Sequence, residues 1–207
     1  CNSYMCLQLA CKATTPDRTA FILGQSKADP FVVMEAEAQR LVTFGAQVIA
    51  IPCNTAHYFY TRLAEVVPVP ILNMVGDTAA RAKEMGCAKV GILATDGTVQ
   101  TGTYQMACDA ANLLWAVPSE AQQKNVMSVI YDNIKRGTPP DMFRFNAAAA
   151  ELFEAGCDAI ILGCTELSLL KKDGLLDNRF IDSMEVLAEA SIRACGKTPI
   201  GFHWEKL

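Results

Sequence analysis

No apolar run in this 207-residue chain approaches the roughly 18–20 residues that a bilayer-spanning helix requires. A membrane partner is therefore not expected. Clusters of lysine and arginine are also missing, and the formal charge is -4. Nucleic acid and anionic membrane surfaces are poor partners for such a chain. There is no low-complexity tract of the kind that stays disordered. The start shows no charged segment followed by an apolar stretch and a small-residue cleavage site. Histidine is scarce, with only His57 and His203, and the nine cysteines include no C-x-x-C pair. Structural zinc thus has little support. The cysteine count is odd and the spacing irregular, unlike a disulfide framework. The reading is a cytoplasmic protein with reduced thiols. Cys1, Cys6, Cys11, Cys87, Cys108, Cys157 and Cys195 are each expected to be small buried residues.

What is present is a set of short Val/Ile-rich runs: "QVIAI" at 47–51, "KVGILA" at 89–94 and "DAIILG" at 158–163. Runs of this length without alternation suit strands buried on both faces, as in a parallel sheet. Helical patterns lie between them. Residues 31–44 stop at Gly45, 142–155 stop at Gly156, and "DTAARAKEMG" at 77–86 closes the same way. Glycine suits the position just past a helix end. Strands alternating with helices predict an α/β fold.

The chain also resembles itself. "GAQVIAIPCNTA" starts at Gly45 and "GCDAIILGCTEL" starts at Gly156, and in each a cysteine follows eight residues after the glycine. "ILNM" at 71–74 answers "FIDSM" at 180–184, and a helix is expected after each. The duplication predicts two pseudo-symmetric α/β domains, each a short parallel sheet flanked by helices, with the active site in the cleft between them. The expected ranges are 1–86 and 87–195, with a 196–207 tail packing back on the first domain. Val90, in the opening strand of the second half, precedes Cys164 by 74 positions, whereas only 52 residues precede Cys53. The first half is therefore expected to lack its opening strand and glycine-containing loop.

Cys53 and Cys164 each fall at the carboxyl end of an expected strand, where open α/β sheets gather ligand groups. Free N–H groups at the following helix start favour a thiolate there. Two thiols facing one carbon from opposite sides suit inversion of a stereocentre. One takes the Cα proton while the other delivers a proton to the opposite face. No cofactor motif accompanies them, so the expected chemistry uses neither pyridoxal phosphate nor a metal. A Cys53–His57 metal pair is geometrically allowed on a helix, but partners for it are few. His57 reads instead as a residue that orients the turn, with Glu166 in the same part in the other half. The "HYFY" stretch reads as helix packing.

The segments CNTAH at 53–57, GCTE at 163–166, "PDRTAFILG" at 16–24 and "IKRG" at 134–137 resemble the cofactor-independent aspartate/glutamate racemase family, in particular its aspartate racemase branch. The resemblance runs from about residue 12 through nearly the whole chain. It implies a racemase of aspartate, with glutamate as a secondary substrate, working as a homodimer. It implies Cys53 and Cys164 as the catalytic acid/bases, and Arg18 and Lys135 as the cations for substrate carboxylates. Asn54, Thr55 and Thr165 suit the α-carboxylate or ammonium, with Thr98 as a further candidate. The family's glycine-rich GGMGP-type loop has no match in residues 1–11. Two other readings stand beside this one. One is a superfamily isomerase acting on glutamate, maleate or hydantoin. The other is a non-catalytic amino-acid-binding relative.

Overall fold

A computed structural model describes residues 7–207, so Cys1 and Cys6 lie outside the described residues. In chain order the helices are α1 (Arg18–Ile22), α2 (Pro30–Thr43), α3 (Tyr60–Val66), α4 (Met74–Glu84), α5 (Asp96–Gln100), α6 (Thr103–Ala110), α7 (Glu120–Ser128), α8 (Met142–Glu154), α9 (Ser168–Lys172) and α10 (Ser183–Ala194). The strands are β1 (Lys89–Ala94), β2 (Leu114–Ala116), β3 (Ala159–Gly163) and β4 (Phe180–Asp182). They form one parallel sheet in the order β2-β1-β3-β4. The fold is α/β, as expected.

Strands β1 and β3 are buried on both faces because their side chains alternate between two cores. Val90, Ile92, Ala94, Ala159 and Ile161 meet α4, α6 and α10 on one face. Leu93, Ile160 and Leu162 meet α7 and α8 on the other. Each fully buried aliphatic side chain of this kind contributes about 1.5–3 kcal/mol of transfer free energy. Local chemistry sets the helix ends. Asp141 caps α8 by accepting from the N–H groups of Phe143 and Arg144, and Asp29 caps α2 by accepting from Phe31. Gly45 and Gly156 follow the two helices with φ of +88° and +82°, values that a residue with a Cβ rarely adopts.

The repeat extends to hydrogen-bond register. Ile49 pairs with Ile71, and Ile160 pairs with Phe180, each donor lying four residues before its cysteine. The N–H of Ile49 donates to Pro70 C=O at 2.9 Å, and that of Ile160 to Arg179 C=O at 2.8 Å. Asn73 and Asp182, each two residues beyond the pair, cap α4 and α10.

The first half nevertheless departs from the expected sheet. Among the described residues, "QVIAI" forms only the single Ile49–Ile71 bridge. Extending it backward would need a donor at Pro70, which proline lacks. Extending it forward would need the Met74 N–H, which is donated to His57 instead. Phe59, Leu63, Phe31 and Val67 close a small core over this bridge.

Helix α4, within the expected 1–86 range, has Val75, Ala79 and Ala82 buried in the core beside β1 and β3, together with Met85 just after it. The tail touches both ranges. Trp204 donates to Glu189 at 2.7 Å, its ring centre lies 5.1 Å from the Arg81 guanidinium and 5.2 Å from the Lys171 ammonium, and Leu207 N–H donates to Met85 C=O at 2.8 Å.

All seven cysteines among the described residues are free, but the expected burial holds only for some. Cys87, Cys108 and Cys157 are buried. Cys11 precedes the first helix and Cys195 caps the end of α10, and both are exposed. No helix among the described residues is long and apolar enough to cross a membrane.

Candidate active site

The "IPCNTAHYFY" turn places Cys53 immediately after the bridged Ile49–Ile51 segment. Its N–H donates to Ile51 C=O at 2.8 Å, tightening the chain before the 3-10 helix Thr55–Phe59. His57 secures this turn from behind. Met74 N–H donates to Nε2 at 3.1 Å, which puts the ring proton on Nδ1, and Nδ1 donates to Cys53 C=O at 2.9 Å. Burial holds His57 below the usual imidazole range, so the neutral ring suits both bonds. With both nitrogens engaged, His57 has no lone pair for a metal. No group of three or more metal-ligating side chains occurs among the described residues.

Cys164 follows β3 and is only 5% exposed. Its thiol donates to Glu166 Oε2 at 2.9 Å, and the Thr165 hydroxyl donates to the same oxygen at 3.2 Å. Burial pushes the Cys164 thiol well up, and the Glu166 carboxylate adds to that shift. Glu166 therefore does not mirror His57, contrary to the expectation that the two play one part. Histidine braces backbone, whereas the glutamate side chain reaches the sulfur itself. The short spacing in C-T-E allows this, because the side chain turns back within the same loop.

Cys53 and Cys164 line one cleft of about 90 Å³. Arg18, Asn54, Thr55, Lys135 and Thr165 line it with them. Arg18 opens α1, whose cap Asp17 accepts from Ala20 N–H at 2.8 Å. Its guanidinium donates from Nη2 to Cys53 Sγ at 3.8 Å and from Nη1 to Pro16 C=O at 3.2 Å. Burial opposes the Arg18 charge, but attraction to Cys53 and Asp17 outweighs it and the group is held up. Lys135 lies just after one π-helical turn, Val129–Asn133, a local form often found at functional sites. Its ammonium sits 4.0 Å from the Tyr131 ring centre and 3.7 Å from Glu166 Oε1. Burial works against this charge as well, and Glu166, Tyr131 and Cys164 together raise it.

Asn54 is fixed at both ends of its amide. Tyr104 donates to Oδ1 at 2.6 Å, and Nδ2 donates to Ser183 Oγ at 3.0 Å. Ser183 in turn donates to Leu162 C=O at 2.9 Å, two residues before Cys164. The two cysteine turns are thereby tied by one chain of hydrogen bonds. Thr55 shares hydroxyl contacts with Thr95 at 3.1 Å and Thr98 at 3.0 Å. Thr98 does not reach the cleft wall. It stands behind Thr55 and Thr95, which do.

Sequence reasoning missed Thr95, Tyr131 and Tyr104 as parts of this assembly. Thr95 had a readable signal, since it immediately follows β1 at the carboxyl end of the sheet. Tyr104 had none, because its partner Asn54 is 50 positions away. The buried thiols outside the cleft have a different environment. Burial raises Cys108 to about 12 and Cys87 to about 11.

The family model described as Asp/Glu/hydantoin racemase matches residues 3–191 of the chain. A glutamate racemase of Desulforudis audaxviator is 31% identical over 140 residues, covering 65% of this chain and 50% of that protein. The broad specificity amino-acid racemase RacX of Bacillus subtilis is 29% identical over 158 residues, covering 75% and 67%. Among solved structures, the aspartate racemase of Picrophilus torridus matches with a TM-score of 0.74 and 27% identity. That match covers 91% of this chain and 79% of that one. The chain thus spans about half the length of the glutamate racemase it matches.

Proposed function

The chain belongs to the Asp/Glu/hydantoin racemase family, and from that premise we propose that it interconverts the L and D forms of an acidic amino acid, aspartate first. The observation that carries this reading is that two cysteine thiols line one cleft together with two cations, Arg18 and Lys135. In the proposed reaction one sulfur, as thiolate, takes the Cα proton, so the C–H bond breaks and an S–H bond forms. The electron pair left on Cα spreads into the adjoining carboxylate. The other cysteine, as thiol, gives its proton to the opposite face of the carbon. The reverse reaction exchanges the two roles.

Arg18 and Lys135 are the proposed partners of the two substrate carboxylates, Arg with a planar fork and Lys with a point charge. Asn54, Thr55 and Thr165 are proposed to hold the α-carboxylate and ammonium. Thr98 serves by fixing the Thr55 hydroxyl. Support for aspartate comes from the likeness to the Picrophilus torridus aspartate racemase, 27% identical at a TM-score of 0.74. The test is incubation with L-aspartate in D₂O, following Cα deuteration by NMR and D-aspartate by chiral chromatography. Cys53→Ala and Cys164→Ala should each abolish racemisation. Either variant racemising at the parent rate would end this assignment.

A further inference from the structure

The two thiols do not have equivalent surroundings. Cys53 Sγ receives a hydrogen bond from a guanidinium, Arg18 Nη2 at 3.8 Å. Cys164 Sγ gives a hydrogen bond to a carboxylate, Glu166 Oε2 at 2.9 Å. A thiol that donates to a carboxylate is held in its protonated form, because losing the proton would place two negative groups in contact. At Cys53 the partner is a cation instead, the Arg18 guanidinium. We infer that Glu166 is a positioning residue that keeps Cys164 as a thiol in the free protein, so that Cys53 is the sulfur poised to take the first proton. The catalytic consequence rests on the racemase reading above, but the protonation state of Cys164 does not.

The groups facing Cys164 are few. Glu166 and Thr165 come from its own loop, and Lys135 comes from the turn after the π-helical segment, 3.7 Å from the other Glu166 oxygen. Cys53, Arg18 and Tyr131 stand on other walls of the cleft. Asp17, Asn54, Thr55 and Thr95 also line the cleft, and Cys164 itself belongs to an apolar cluster with Leu93, Ile130 and Leu167. Lys135 is a cation whose charge opposes the effect of Glu166, and it is paired with that same carboxylate. Burial and the Glu166 carboxylate raise the Cys164 thiol, while a backbone hydrogen bond from Glu166 works the other way without reversing the shift.

The asymmetry gives the reaction a resting direction. After Cys53 has taken the Cα proton and Cys164 has delivered its own, Cys164 is left as a thiolate beside Glu166. Repulsion between them favours return to the starting form. In that return Cys164 takes a proton from water and Cys53 gives one up to water. The substrate enantiomer whose Cα–H faces Cys53 therefore meets a Cys164 that already holds the proton it must deliver. Its mirror image first requires proton exchange.

Alkylation by iodoacetamide tests this without any need for turnover. The rate at each cysteine is read by peptide mass spectrometry over a neutral to alkaline series. In the parent protein the midpoint for Cys164 should lie above the ordinary thiol value of about 8.5. Glu166→Gln should lower that midpoint and raise Cys164 alkylation near neutral pH about tenfold, the equivalent of one pKa unit. Burial also raises the parent midpoint, so the fall on Glu166→Gln, which leaves the sulfur buried and removes only the charge, is the result that isolates the carboxylate. Should the Gln variant fold poorly, Glu166→Asp draws the carboxylate back from the sulfur and should also lower the midpoint. A parent midpoint at or below the ordinary value, or one unmoved in a folded variant, would overturn the inference. Failure of racemisation in D₂O with the alkylation shift intact would instead count against the racemase reading alone.

Discussion

Replacing Tyr104 by Phe removes a single oxygen from the centre of the molecule and strips the Asn54 amide of one of its two side-chain partners. The Tyr104 ring is fully buried, and its hydroxyl donates to Asn54 Oδ1 at 2.6 Å. Asn54 is itself only 2% exposed, so water does not readily replace the lost donor. Its Nδ2 stays bonded to Ser183, which leaves Oδ1 as an unpaired buried acceptor. That costs about 1–3 kcal/mol. The ring remains in place, so no large cavity adds to the loss. At about 2–4 °C per kcal/mol for a chain of this size, the melting temperature should fall by about 2–12 °C. Thermal unfolding followed by circular dichroism measures this directly. With one of its two anchors gone, the amide is held less firmly beside Cys53. The KM for aspartate should therefore rise, with kcat/KM down about tenfold, which corresponds to 1.4 kcal/mol. An unchanged melting temperature together with an unchanged KM would refute the reasoning.

His57→Gln should destabilise the protein by about 1–3 kcal/mol, by loosening the paired bonds to Met74 N–H and Cys53 C=O. It should also alter the pH dependence of stability. Because the folded protein holds His57 below its unfolded value, the histidine contributes stability that is complete above about pH 6.5 and is lost as pH falls through the folded value. Urea unfolding at a series of acidic pH values should show a flatter slope in the variant, and identical slopes would dismiss the role. Gly163→Ala places a Cβ 2.9 Å from Tyr104 Cε2 and 3.0 Å from Ala94 Cβ. Overpacking of this kind costs about 1–3 kcal/mol, so the urea midpoint should drop. An equal midpoint would mean that the strand end is looser than its contacts indicate.

The features legible in the sequence are those that depend on neighbours along the chain. Helix ends at Gly45, Gly86 and Gly156, the β1 and β3 runs, and the matched strand-turn-cysteine segments all follow from local rules of backbone conformation and side-chain period. Local composition was less informative where pairing depended on a distant donor. "QVIAI" has strand character, yet Pro70 and the diverted Met74 N–H restrict it to one bridge. Strand β2 lies in the apolar stretch "LLWAV" at 113–117, but its three residues are largely exposed, unlike the two-face burial that marks β1 and β3.

By itself, then, the sequence determined that two equivalent turns would each carry a cysteine at a strand end, because repeated local patterns produce repeated local structures. Tertiary structure alone decided that the two turns differ chemically. Glu166 turns back onto one sulfur while His57 faces away to the backbone, and Arg18 reaches the other sulfur from 35 positions earlier. It also decided that α4 seals the far sheet and that Tyr104 locks Asn54 across 50 positions. The reason is physical. Burial and hydrogen-bond partners depend on distance in space, and no periodicity along the chain encodes which distant side chain will fill a given gap.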